Sequence, residues 1–118
     1  MDMNNINDIL KDMLSLNGAL AASLFDWESG MVLGMDSNSD FNIELASAGN
    51  AEVVKAKMTT MKTLSIDGII DDILITLTDQ IHIIKMVESN PELCLYIAID
   101  KAKGNLALAR HKLQSLSK

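Results

Sequence analysis

The stretch "LCLYIAID", residues 93–100, constrains the fold more than any other part of the chain. In an extended strand Leu93, Leu95, Ile97 and Ile99 share one side, while Cys94, Tyr96 and Ala98 take the other. Both sides are apolar, so the strand demands a sheet covered on both faces. Two similar runs precede it. In "DDILITLT", Ile73, Ile75 and Leu77 point one way and Leu74, Thr76 and Thr78 the other. "IHIIKMV" follows after "DQ", which reads as a short hairpin turn, and "ESNPE" with Pro91 reads as the next loop.

Two more strands are predicted upstream, "ALAASLFDW" and "MVLGM". The "ESG" between them supplies a hairpin turn in which Gly30 is free to take a positive φ. Short hairpins make the sheet mainly antiparallel.

Three helices complete the pattern. In "MNNINDILKDMLSL", Ile6, Leu10 and Met13 form a stripe with Ile9 and Leu16 beside it, and Asn17-Gly18 is expected to close the helix. The longest helix falls in "SNSDFNIELASAGNAEVVKAKMTTMKTL", with Asn38, Ser39 or Asp40 as cap. It shows two apolar stripes. One holds Ile43, Val54, Met58 and Met61. The other holds Leu45, Ala46, Gly49, Val53 and Ala56, mostly small residues that let another backbone come close. Either the helix is deeply buried, or one stripe faces the sheet and the other a second subunit. The last helix, "NLALARHKLQSLS", carries Leu106, Ala109, Leu113 and Leu116 on one stripe. The element order is therefore α-β-β-α-β-β-β-α, an α+β chain.

The 118 residues are expected to form one domain, residues 1–118. Apolar residues make up 48% of the chain but aromatics only 3%, so aliphatic side chains and eight Met must build the core. A mean hydropathy of +0.18 hints at an apolar surface that needs a partner. The formal charge of −6, with ten scattered basic residues, argues against nucleic acid. One cysteine excludes a disulfide within the chain and suits a reducing compartment. The N-terminus lacks the basic region of a signal peptide, and no apolar run approaches the roughly 20 residues of a membrane helix. A cytoplasmic protein without direct membrane insertion is expected.

No constellation of catalytic chemistry stands out. "DKAKGNLALAR" places a glycine between a strand and a helix, as phosphate-binding sites do. It lacks the Gly-x-Gly-x-x-Gly and P-loop spacings, however, and Asp100 or Asn105 serves as a helix cap instead. His82, His111 and Cys94 do not stand at metal-ligand spacing. A mid-strand Cys94 reads as a small buried hydrophobe rather than a nucleophile. Asp71 and Asp72 are expected to keep a strand edge soluble. Trp27 is either a binding anchor or a structural residue. No catalytic, cofactor or metal residue is assigned.

The order of these elements resembles the roadblock (dynein light chain) family. "NGALAASLFDWESGMVLG" resembles its strand, acidic turn and strand opening. The segment from "DDILITLT" to "ARHKLQSL" resembles its ending of three strands and a helix, most tellingly in "GNLALAR" with Asn105, Leu106 and Arg110. The middle helix matches only in character, and the acid-rich "SIDGIIDD" and abundant Met are not family hallmarks. The resemblance implies a five-stranded antiparallel sheet between helices, a profilin-like layering. It also implies a homodimer in which the third strand and the long second helix meet their copies across a two-fold axis. This places the interface at Leu45, Ala46, Gly49, Val53, Ala56, Ile73, Ile75 and Leu77. Bacterial and archaeal members of the family are associated with small Ras-like GTPases, and eukaryotic members with dynein and lysosomal scaffolds. The resemblance is to a single-domain member of the bacterial or archaeal type, so a non-enzymatic adaptor or regulator of such a GTPase or a related protein complex, without cofactor, is the first expectation. Arg110, the single arginine, sits at a structural position and is not expected to act as an arginine finger. A sensory domain binding a small ligand in a Met-rich core is the alternative. An enzyme using Cys94 is a weaker third.

Overall fold

In the computed structural model, which describes residues 1–118 except the side chain of Met3, the alternating runs form one antiparallel sheet. A short 3-10 turn leads into α1 (Ile6–Leu14). The first hairpin is β1 (Ala19–Asp26) and β2 (Val32–Ser37). α2 (Ile43–Thr63) follows, then β3 (Asp72–Thr76), β4 (Gln80–Met86), β5 (Leu93–Asp100) and α3 (Leu106–Leu116). The strand order is β2-β1-β5-β4-β3, so β5 is central and β2 and β3 are the edges. The element order, the strand count and the antiparallel pairing are those expected from the sequence.

The two faces of β5 work as its alternation dictates. Leu93, Leu95, Ile97 and Ile99 join Leu10, Met13, Leu24, Ile83, Ala109 and Leu113 in one core. α1 and α3 cover that face, α1 over β1 and β2 and α3 over β4. Cys94, Tyr96 and Ala98 join Phe25, Val54 and Ile84 in a second core under α2. α2 lies mainly over β1 and β2. Over the β4 side of that face, Phe41 and Ile70, from the segments flanking α2, pack against the second core.

Local signals mark most boundaries. Gly30 takes φ +77° in the first hairpin, where a side chain would be strained. Asn105 caps α3, its side chain accepting from the Leu108 amide at 3.1 Å. Asp100 holds the preceding turn by accepting from the Ala102 amide at 2.9 Å. Gly104 lies so close to Ile99 that a Cβ would approach the isoleucine Cγ2 to 2.2 Å. The glycine of "DKAKGNLALAR" thus serves chain packing.

Several boundaries differ from the expectation. α2 is capped by Asn42, which accepts from the Leu45 amide at 3.1 Å, and not by Asn38, Ser39 or Asp40. Asn38 and Ser39 are engaged elsewhere. The Asn38 amide donates to the Leu14 and Ala19 carbonyls, and the Ser39 hydroxyl donates to Leu20. α1 ends at Leu14 with Ser15 as its C-cap, so Asn17-Gly18 belongs to the approach to β1. The β3–β4 turn comprises residues 77–79. Leu77 therefore leaves the strand, and its amide donates to the Gln80 carbonyl at 2.8 Å. Gln80 begins β4 instead of sharing the turn with Asp79. Leu108, outside the expected α3 stripe, is 58% exposed. Among the described residues, no helix is long and apolar enough to cross a membrane.

Candidate interaction surface

α2 divides into an inner and an outer face. Its buried residues are Ile43, Ser47, Asn50, Ala51 and Val54. Two of the five are polar, which the two apolar stripes did not reveal. The Ser47 and Ser23 hydroxyls share a buried hydrogen bond of 2.8 Å that pins α2 to β1. Asn50 influences Tyr96, whose phenol is pushed up to about 12 by burial while Asn50 pulls the other way. The Asn50 Nδ2 nevertheless finds no hydrogen bond of ordinary geometry among the described residues. Tyr96 also meets His82, with the hydroxyl 3.3 Å from Nδ1, and the His82 Nε2 lies 2.8 Å from Gln80. Burial holds the His82 pKa below its ordinary value of 6.5.

The outer face of α2 carries the small-residue stripe. Leu45 is 70% exposed and Val53 37%, while Gly49 and Ala56 are also exposed. Ala46 sits at the border, half-buried against the second core. A Cβ built on Gly49 meets nothing within 4 Å, so the protein itself leaves this groove in the helix empty. Ile73 and Ile75 project to the α2 side of the sheet, opposite Ile84 and His82 in register, and both are half-buried. β3 is hydrogen-bonded to β4 alone, so its other edge presents unpaired backbone groups. Leu77, 42% exposed, lies in the turn beyond that edge.

The acids expected to keep a strand edge soluble also have structural partners. Asp71 pairs with Lys85, whose ammonium is almost fully buried. Asp72 accepts two hydrogen bonds from Arg110, at 3.0 and 3.3 Å, tying α3 to the start of β3. A two-pronged arginine–carboxylate pair fixes orientation as well as charge. Arg110 is thus held on its own chain.

Cys94 is fully buried, 3.4 Å from the Met86 sulfur. Burial, reinforced by the charge of Asp26, pushes its thiol up to about 12, far from the thiolate that nucleophilic chemistry needs. Among the described residues, no three His, Cys, Asp or Glu side chains converge as metal ligands.

A groove of about 340 Å³ opens at the end of the sheet, where Trp27, Met58, Ile70 and Val87 form apolar walls. The Trp27 indole is fixed there by donating to the Pro91 carbonyl at 2.9 Å. Trp27 is therefore both structural and available at a surface.

No family model matches the chain, and no curated protein sequence does. Solved structures do. Myxococcus xanthus MglB matches with a TM-score of 0.83 at 15% identity, over 98% of this chain and 84% of that one. A structure described as MglB with tetrameric arrangement gives 0.83 at 14% identity, over 98% and 85%. A Roadblock/LC7 domain from Streptomyces avermitilis gives 0.78 at 11% identity, over 92% and 88%. With the same strand count and element order expected of a roadblock sheet, and superposition on these structures over nearly its whole length, the chain has the roadblock fold.

Proposed function

We propose that this chain is a single-domain, non-enzymatic, homodimeric regulator that docks a small Ras-like GTPase in the cytoplasm. The observation that carries the reading is the pairing of an open β3 edge, whose Ile73 and Ile75 project to the side of the sheet that α2 covers, with an exposed stripe of small residues on α2. Edge strands left unpaired invite a further strand, and a two-fold axis lets β3 meet its own copy. Gly49 and Ala56 would let the two α2 helices approach closely, with Leu45 and Val53 supplying apolar contact. Ile73 and Ile75 would continue that contact beside the strands. The likeness to MglB structures, one described as tetrameric, supports self-assembly and a place in a GTPase system.

The regulator would act without chemistry of its own. Its single arginine is held by Asp72 and its single thiol is buried and protonated. Any effect on hydrolysis would come from positioning the GTPase's own groups. The sensory alternative gains little from the groove beside Trp27, because the Lys85 ammonium and the Trp27 indole that line it already have partners within the chain.

Light scattering of the purified chain tests the dimer. A particle of twice the chain mass at micromolar concentration is expected, and a monomer there would refute it. Capture of host proteins on the immobilised chain, compared with GTP and with GDP present, tests the partner. Enrichment of a small GTPase in one nucleotide state is expected.

A further inference from the structure

The groove at Trp27 lies at the C-terminal half of α2, where Met58 forms part of its wall. Its surroundings combine two properties that the rest of the surface does not share so closely. The first is apolar exposure. Ile69, which lines the groove, is 91% exposed, the highest exposure among the described large hydrophobic residues. Leu64 and Ile66, in the same segment between α2 and β3, are 63% and 49% exposed. Leu64, Ile66 and Ile69, three large apolar residues within six positions, would lose stabilising burial by facing water permanently.

The second property is charge. Glu28, Glu88 and Glu92 stand around the groove, all exposed, and none of them is in an ion pair among the described residues. Lys85 is the one cation that lines it, and Asp71 already neutralises that ammonium. The groove is thus apolar inside and anionic at its rim. A second copy of this chain, at formal charge −6, is poorly matched to such a rim. A segment that carries apolar side chains flanked by lysine or arginine is well matched, since apolar burial supplies affinity and the rim selects charge.

We infer that this groove is a second docking surface, separate from the β3 edge, for a basic, apolar segment of a partner protein. The apolar side chains enter between Trp27 and Met58 and bring Ile69 out of water. The basic side chains lie against Glu28, Glu88 and Glu92. Trp27 needs no rearrangement to receive them, because its indole is already fixed against Pro91.

The test uses a fluorescein-labelled helical peptide of leucine and lysine and the full-length chain at low ionic strength. Binding is read by anisotropy with labelled peptide, and with unlabelled peptide by the emission of Trp27, the only tryptophan. Saturable binding that shifts Trp27 emission is expected. The double variant Glu28→Lys with Glu88→Lys should weaken it by at least about tenfold. Ile69→Asn, which leaves the charge unchanged, should weaken it by about threefold or more. The control is Asp36→Lys with Glu44→Lys, exposed acids away from the groove, with the same change in net charge. It should alter affinity by less than about twofold. An equal loss in the control would reduce the binding to general attraction and overturn the proposal. Equal binding of a leucine–glutamate peptide would do the same. If Glu28→Lys with Glu88→Lys instead changed the mass of the free chain by light scattering, the groove would be a self-interface and the inference wrong. Because the dimer is read separately, neither proposal's failure hides the other's.

Discussion

The two faces of the sheet solve the same problem differently. The face under α1 and α3 is closed by two helices around an aliphatic core from Leu10 to Leu113, with the buried Ser117 capping the end of α3. The face under α2 has one helix, a polar seam of Ser23, Ser47, Asn50 and Tyr96, and an open flank toward β3. An aliphatic core gives stability without demanding a unique partner for each atom. A polar seam gives less stability but fixes where the helix sits, because each hydroxyl must be matched. The contrast suggests a division of labour: one face holds the fold together, while the other positions α2 for contact with something else.

The largest effect should come from breaking the closed face. Leu113→Ala should cost about 2–5 kcal/mol in denaturant unfolding, because it empties a fully buried site. Leu45→Ala on the outer side of α2 should stay within about 0.5 kcal/mol when measured on the monomer. Comparable losses at both positions would abolish the contrast.

The seam should respond next. Ser47→Ala leaves the Ser23 hydroxyl buried without its partner and should cost about 1–3 kcal/mol. The double change of Ser23 and Ser47 to alanine should cost less than the sum of the singles, since no orphaned hydroxyl remains. Additive losses would show that the pair does not act as a unit.

The open flank should respond in assembly rather than in folding. Gly49→Leu has room in the single chain, so its unfolding should change little, whereas self-association should weaken by about tenfold or more, about 1.4 kcal/mol. Ile75→Asp should also weaken self-association, and sedimentation across a concentration series reads both. Unchanged association in both variants would move the interface elsewhere.

The smallest expected effect is a pH dependence confined to the α2 face. The folded pKa of His82 is lowered by burial, so the unfolded chain takes the proton first as pH falls below about 6.5. The stability linked to neutral His82 is full above that value and declines as pH drops toward the folded pKa. Thermal melts from pH 7.5 to 5 should show a falling midpoint, and His82→Gln should flatten that slope. A slope unchanged by the substitution would remove His82 as its source.

Much of this molecule was legible in its residues. The two-residue alternation of "LCLYIAID" placed Leu95 and Ile97 on one core and Tyr96 and Ala98 on the other, as found. The helices were legible from their apolar spacing and from Asn105. The cap of α2 was not, because Asn38, Ser39 and Asn42 are equally able caps in isolation. Asn38 and Ser39 bind carbonyls of Leu14, Ala19 and Leu20 once β1 and α1 are assembled. Of the α2 stripe expected at an interface, Leu45, Gly49, Val53 and Ala56 are exposed and Ala46 is half-buried. The alternation of β3 continues through Leu77, but the turn claims its amide.

Sequence by itself determined the elements, their order and the faces of the central strand, because these follow from periodicity within a few neighbouring residues. Only the tertiary structure decided that Ser47 and Asn50 face inward, that Arg110 is held by Asp72, and that Ile69 lines one groove with Glu28, Glu88 and Glu92. Each of these depends on groups far apart in the chain. The free energy of a hydroxyl, a guanidinium or an exposed isoleucine is set by whatever the fold brings next to it.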